Sequence, residues 1–208
     1  MTHDELQSII NARNANLEFI EDGHRYLYKG EEIPSVSKLM EPLSRLVYGD
    51  GTYSYFQTGT DVHYAIQQLL VDGWMAWDTS IDGYMNGFMK WSKGMGDRLV
   101  IVAIETPITN GIYAGTPDIV ALLDGEPVII DMKTSKTNKW NLWRVQLAAY
   151  TFIMADSPRP FQYRQYILNL KGDDDYKFKQ VDILQEPAHA WMNLTSIYRY
   201  SKMRNTVK

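Results

Sequence analysis

The chain is 208 residues long, 45% hydrophobic, and carries a formal net charge of −4. That length suits one domain with a substantial core, and the weak acidic balance does not advertise nucleic-acid binding, although a local basic surface would suffice for it. There is no cysteine, which excludes disulfides, thiolate zinc sites, cysteine nucleophiles and cysteine-ligated iron-sulfur clusters together.

No apolar run reaches the ~20 residues of a membrane helix. The opening residues, with His3, Asp4 and Glu5, resemble neither a secretory signal nor an Arg-rich transit sequence, so the expectation is a soluble, cytoplasmic protein without membrane contact. Residues 1 to 16 read as a short polar helix. From Leu17 to Pro34 the pattern is β-like, with Asp22-Gly23 and Lys29-Gly30 as turns. Ser35 or Ser37 then caps a helix. Tyr48, Tyr53, Tyr55 and Phe56 follow, aromatics read as packing or turn contacts rather than base platforms. Thr60 is a candidate cap for a helix to about Val71, in which His63 shares a register with Ile66 and Leu70. On that spacing His63 is a core residue before it is a metal ligand. Ile81 to Arg98 reads as another helix despite its glycines, with Tyr84, Met85, Phe88 and Met89 inward.

The informative stretch comes next. Leu99 to Ile108 is an apolar, β-branched run before Asn110-Gly111, and Ile119 to Leu123 and Val128 to Lys133 flank Asp124-Gly125. Both dipeptides favour the φ > 0 conformations of tight hairpins. A two-residue Asp124-Gly125 loop sets Asp118 opposite Asp131, and the longer Asp124 to Pro127 loop sets it opposite Lys133. A two-residue Asn110-Gly111 loop sets Glu105 opposite Thr116 and Ala103 opposite Asp118. Because side chains alternate along a strand, Glu105, Asp118, Asp131 and Lys133 project from one face of a three-strand meander. Like charges directly opposed destabilise a sheet unless something positive lies between them, and a divalent cation with oxygen ligands is the simplest candidate.

Trp140 to Ala155 is apolar almost all round and reads as a buried crossover helix, with Gln146 and Tyr150 on one face. Phe161 to Leu170 is the next strand, parallel to the one ending in Asp131-Met132-Lys133. Gly172 to Asp175 reads as a solvated turn. A strand from Tyr176 to Ile183 follows, and then a helix from Pro187 to about Arg204 with Ala190, Trp191, Leu194, Ile197 and Tyr198 inward. Two segments are basic without an acid, Met132 to Arg144 and Ile197 to Lys208.

This order of elements, with Asp118 and Asp131-Met132-Lys133 on adjacent strands, resembles the PD-(D/E)xK nuclease superfamily. Within it, Gly59-Thr-Asp-Val-His63, Glu105, Gly115-Thr-Pro-Asp118, Asp131-Met-Lys133-Thr-Ser135 and Gln146-x-x-x-Tyr150 are similar to the RecB-like exonuclease branch, which includes phage and mitochondrial genome maintenance exonucleases. Ile33-Pro-Ser-Val-Ser37 resembles a Pro-Ser-Val-Thr element of those members. The likeness spans about residues 24 to 170.

The resemblance implies an α+β fold with a restriction-endonuclease-like core, a mixed sheet flanked by helices. One nuclease domain would cover 1 to 208, divided into an N-terminal hairpin and helices (1 to 58), a catalytic core (59 to 171) and a C-terminal strand and helix (172 to 208). It implies one or two Mg²⁺ or Mn²⁺ ions held by His63, Asp118, Asp131 and the Met132 carbonyl, and no iron-sulfur cluster. Lys133 would orient the attacking water, with Gln146 and Tyr150 positioning it; Glu105 is left open between ligand and structural partner. Lys136, Lys139, Trp140 and Arg144 would grip DNA, although Trp140 and Trp143 read equally well as the start of a core helix. The bland alternative for the acids is a pair of salt bridges to Lys133 and Arg144 that only fasten the sheet.

The implied function is a metal-dependent DNA exonuclease of phage or mobile-element recombination, replication or DNA processing. A structure-selective or single-strand endonuclease on the same site and a non-catalytic DNA-binding or assembly module are the alternatives. DNA with a free end is the expected partner; a recombination or replication protein and a second copy of the chain are left open.

Overall fold

The computed structural model describes residues 1–49, 56–74, 76–155, 162–181 and 185–203. Tyr53, Tyr55, Phe161, Ile183, Arg204 and Lys208, and the side chain of Phe56, lie outside them. Among the described residues no helix is long and apolar enough to cross a membrane.

The architecture is mixed α+β. Its centre is a five-stranded sheet in the order β10-β9-β8-β7-β4, built from β4 (Leu99–Ile104), β7 (Ile119–Leu123), β8 (Glu126–Lys133), β9 (Arg164–Leu170) and β10 (Tyr176–Val181). All neighbours are antiparallel except β8 and β9. That parallel pair is joined by α5 (Trp140–Met154), the crossover expected of an apolar helix between two strands. A second sheet, β1 (Leu17–Ile20), β2 (Arg25–Tyr28) and β3 (Glu31–Ile33), is antiparallel. A two-stranded ribbon of β5 (Ile108–Thr109) and β6 (Ala114–Gly115) joins the two, because Ala114 N–H donates to Pro34 O at 3.0 Å.

Helices cover both faces of the large sheet. On one face α1 (His3–Asn14), α2 (Val36–Tyr48), α5 and α6 (Gln185–Met203) pack on Val120, Leu122, Ile129 and Ile167. On the other, α3 (Phe56–Asp72) and α4 (Asp82–Met95) pack on Ile119, Ile130, Met132 and Leu168. The polar-looking α1 docks firmly. Thr2 and Glu5 close a capping box at its start, and Leu6 and Ile10, one turn apart, are fully buried.

The Asp124-Gly125 loop has two residues, with φ of 54° and 79°, and Leu123 pairs with Glu126. The longer loop is therefore not used. The other hairpin differs from expectation. Asn110 to Tyr113 form a four-residue loop, because the Asn110 carboxamide oxygen accepts from the N–H groups of Ile112 (3.1 Å) and Tyr113 (3.3 Å). A β-bulge between Ile101 and Ala103 absorbs one residue further down. Glu105 consequently sits beside Asp118, its N–H donating to Asp118 O at 2.9 Å, and not opposite Thr116. Beyond the bulge the register moves by two residues, which keeps Glu105 on the face of Asp118; before it the shift is one residue, which turns Leu99 and Ile101 to the other face, with Ala121 and Leu123.

Several helix limits also shift. α3 begins at Phe56, so Thr60 is an interior residue and not a cap; Gln57 Nε2 donates to Asp61 Oδ1 at 2.8 Å across that first turn. Ser35, not Ser37, caps α2, accepting from Lys38 N–H at 3.0 Å. α4 is flanked by 3₁₀ turns at Thr79–Ile81 and Gly96–Arg98. Met89 is 39% exposed and off its buried stripe of Met85, Phe88 and Trp91. In α6, Ile197 is 65% exposed; it falls outside the arc defined by Ala188, Trp191 and Tyr198. Gly83 and Gly87 of α4 have a packing reason. A Cβ at Gly83 would lie 2.0 Å from Gly172 O, so only glycine lets the β9–β10 turn rest on the helix.

Candidate active site

Asp118 precedes β7 and Asp131 lies near the end of β8. Alternation along β8 puts Asp131 and Lys133 on the face of Ile129, under α5. Asp118 Oδ2 accepts the Met132 N–H at 2.5 Å, so Met132 touches this carboxylate through its amide. Glu105 follows β4 with φ of 42°, a left-handed conformation that costs a non-glycine residue on the order of 1–3 kcal/mol and recurs at functional sites. The turn aims its carboxylate at His63, which reaches over from α3: Nδ1 is 3.0 Å from Glu105 Oε1 and 3.5 Å from Asp118 Oδ1. The helical spacing that reads His63 as a core residue is therefore only half the story, for its side chain remains 24% exposed and ends among carboxylates.

One ligand atom each from His63, Glu105 and Asp118 lie within 4.8 Å of one another. These three could hold a divalent ion, which assigns Glu105 to the group and leaves Asp131 outside it. Asp131 stands behind, wholly buried, with Oδ2 at 2.6 Å from Lys133 Nζ. Beyond that ion pair, neither Asp131 oxygen has a hydrogen-bond partner among the described residues. A buried carboxylate with spare lone pairs is costly and suits a cation or a coordinated water. One nitrogen and several carboxylate oxygens are also a fitting donor set for Mn²⁺ or Mg²⁺.

Lys133 is held from the other side by Gln146, whose Oε1 accepts from Nζ at 3.1 Å, and Gln146 Nε2 donates to Tyr150 OH at 3.2 Å. The one-turn spacing of Gln146 and Tyr150 on α5 produces this relay.

Electrostatics follow from burial among like charges. Burial raises the Asp131 carboxyl to about 7, with Lys133 opposing and Asp118 adding to the rise. Burial and the Asp118 charge raise Glu105. Burial works against the charge on Asp118, but His63, Lys133 and the Met132 N–H outweigh it and hold this carboxyl below its usual range. Burial would lower His63, yet Asp118 and Glu105 overcome it and raise the imidazole to about 10. Lys133 is raised by Asp131 and Asp118 against its own burial. Without an ion, a proton on His63 supplies the positive charge that the carboxylates demand.

A cleft of about 410 Å³ opens onto these groups, bounded by Phe19, His24 and Tyr26 of the small sheet and by Glu105, Asp118 and Tyr150. Tyr26 OH shares a 2.8 Å hydrogen bond with Thr116 Oγ1. Sequence reading misses Tyr26, since no local pattern reveals a contact across 90 residues. A slightly larger cavity of about 480 Å³ between α1, α3 and β4 is lined by aliphatic and amide side chains with no ionisable group, and offers no chemistry.

Of the residues expected to grip DNA, Lys136 is exposed and Lys139 lies 5.3 Å above the Tyr48 ring. Trp140 packs edge-on against Trp143 at 5.3 Å, and Trp143, 2% exposed, belongs to the core. Arg144 has a buried Nε without a hydrogen bond and forms no ion pair among the described residues. The sheet-fastening role that pairs Arg144 with an acid is thus not realised there.

No family model matches the chain, and no curated protein matches it.

Proposed function

We propose that the protein is a metal-dependent deoxyribonuclease of the PD-(D/E)xK type, built on a restriction-endonuclease-like core and acting as an exonuclease on DNA ends in phage or mobile-element DNA metabolism. One observation carries the reading. His63, Glu105 and Asp118, from three different elements, bring ligand atoms within 4.8 Å of one another beside a lysine clamped by Asp131 and Gln146. A structural ion pair needs only two of these groups.

When bound at this set, Mg²⁺ or Mn²⁺ supplies Lewis acidity and charge neutralisation for a phosphodiester. The chain does the rest. His63 gives up its proton to offer a ring nitrogen, and Glu105 and Asp118 offer oxygens. Asp131, with its unsatisfied lone pairs, would accept a hydrogen bond from water at the site or add an oxygen to the residues that hold the ion. Lys133 donates to the attacking water and to the phosphoryl oxygens on which charge grows. Gln146 and Tyr150 fix the ammonium in position, so little reorganisation is needed as charge develops.

The test is a time course on linear and circular, single- and double-stranded DNA labelled at either end, with Mg²⁺ or Mn²⁺. Loss of terminal label from linear substrates with circles intact is the exonuclease result. Cleavage of single-stranded circles would make the enzyme an endonuclease. Persistent binding without cleavage of any substrate would replace the enzyme by a binding module.

A further inference from the structure

The β-sheet register carries the site's chemistry further across the molecule than the residues singled out by sequence. Lys133 pairs with Asn169 and Asn169 with Lys177, while Asp131 pairs with Ile167 and Ile167 with Lys179. Two rows of side chains therefore run on one face from the candidate site to the edge strand β10, and two strand spacings put Lys177 about 10 Å from Lys133.

Aromatic rings bridge the same distance. Tyr48 hydrogen-bonds the Trp143 side chain and feels the charges of Lys133 and Asp131. Lys139 Nζ caps the Tyr48 ring at 5.3 Å, Trp140 abuts Trp143, and Lys179 Nζ caps the Trp140 ring at 5.0 Å. Two acids of the β9–β10 turn point away from this side. Asp174 accepts from Asn86 at 3.0 Å and Asp175 lies 3.8 Å from Lys90, both on the opposite face against α4. Neither Lys177 nor Lys179 is in an ion pair among the described residues. Burial first, and then the neighbouring Lys177 charge, lower the pKa of Lys171 against the opposing charges of Asp173 and Asp175.

We propose that this face is a track for a single strand of nucleic acid leaving the candidate site toward the β10 edge, with Tyr48 and Trp140 as base platforms and Lys139, Lys177 and Lys179 on the phosphates. The proposal rests on the nuclease reading and names the form of its substrate. Unpaired bases present the π-faces that aromatic platforms need, whereas a duplex keeps them stacked inside. The lysines that cap the two rings in the free protein move onto phosphates as bases take their places. Edge-strand lysines also discourage pairing with other chains, but that role does not explain the indole beneath Lys179.

The experiment measures binding of the full chain, in EDTA, to fluorescein-labelled oligothymidylate by anisotropy over about 50 to 200 mM salt. The Lys177→Ala/Lys179→Ala variant should flatten the slope of log Kd against log salt by roughly 1.4, about 0.7 for each lost phosphate contact to a single strand. Trp140→Ala should weaken binding roughly five- to a hundredfold; because Trp140 also supports Trp143, the two exposed lysines are the decisive positions. An equal loss of slope on a blunt duplex would overturn the single-strand assignment. DNA cleavage by the wild-type chain together with an unchanged slope in the double lysine variant, or self-association of that variant in place of a binding defect, would overturn the track and leave the nuclease reading standing. Neither cleavage nor binding by the wild-type chain would overturn both.

Discussion

Asp131 should make the ion-free protein less stable as pH rises, opposite to the usual behaviour of a carboxylate fixed by a salt bridge. Its carboxyl is fully buried and its oxygens lack adequate hydrogen bonds, and it titrates at about 7 in the fold against 3.8 in its ordinary state. A group whose pKa is raised by folding contributes its full stability below the unfolded value and loses it as pH passes the folded one. The pertinent window is therefore about pH 4 to 8, and at 1.36 kcal/mol per pH unit the loss amounts to roughly 4 kcal/mol. Asp131→Asn keeps the shape and removes the charge, but leaves Lys133 with only Gln146, so part of that gain is offset. Urea unfolding in EDTA at about pH 5, 6, 7 and 8 isolates the difference, since the other titrating groups are common to both proteins. The stability gap between variant and wild type should move in the variant's favour by about 2–3 kcal/mol across that range, since only the roughly two units below pH 7 contribute. A gap that stays constant with pH would show that Asp131 is ionised throughout at no cost, and the strain attributed to this carboxylate would be wrong.

His63, raised to about 10 by its carboxylate neighbours, must lose a proton before it can ligate, so Mn²⁺ affinity should climb by up to about tenfold per pH unit below that value, with a proton released per ion. Calorimetry in buffers of different ionisation enthalpy counts the proton, and a pH-independent affinity would return the imidazole to a structural role. Asp131→Ala or Lys133→Ala should abolish cleavage with circular dichroism and gel-filtration profile preserved; full activity in either would contradict the assignment. Gln146→Leu, which removes the 3.1 Å contact to Lys133, should lower kcat by roughly a hundredfold with KM nearly unchanged, whereas a proportional rise in KM would mark Gln146 as a substrate contact. Gly83→Ala places a methyl 2.0 Å from Gly172 O and should cost about 1–3 kcal/mol through overpacking; an unchanged melting temperature would mean that the β9–β10 turn lifts off α4 without penalty.

The chain's own pattern determined the elements with short-range causes. Asp124-Gly125 can enter the left-handed region at both positions, so the hairpin follows from two residues, whereas the choice of Asp131 over Lys133 as the partner of Asp118 was settled only by the observed two-residue loop. The apolar all-round helix from Trp140 dictated a buried crossover, and its one-turn spacing already put Gln146 beside Tyr150. What tertiary structure alone decided was convergence. The asparagine turn and the bulge in β4 carried Glu105 from Thr116 to Asp118, and α3 crossed to that edge so that a helix residue with a core-like address placed its imidazole between two acids. The same holds for Trp143, drawn into the core while Trp140 stayed at its rim. Local sequence sets dihedral preferences over a few residues, but which carboxylates become neighbours depends on loop closure and face-to-face packing across 42 residues for His63 and Glu105, distances over which no propensity acts.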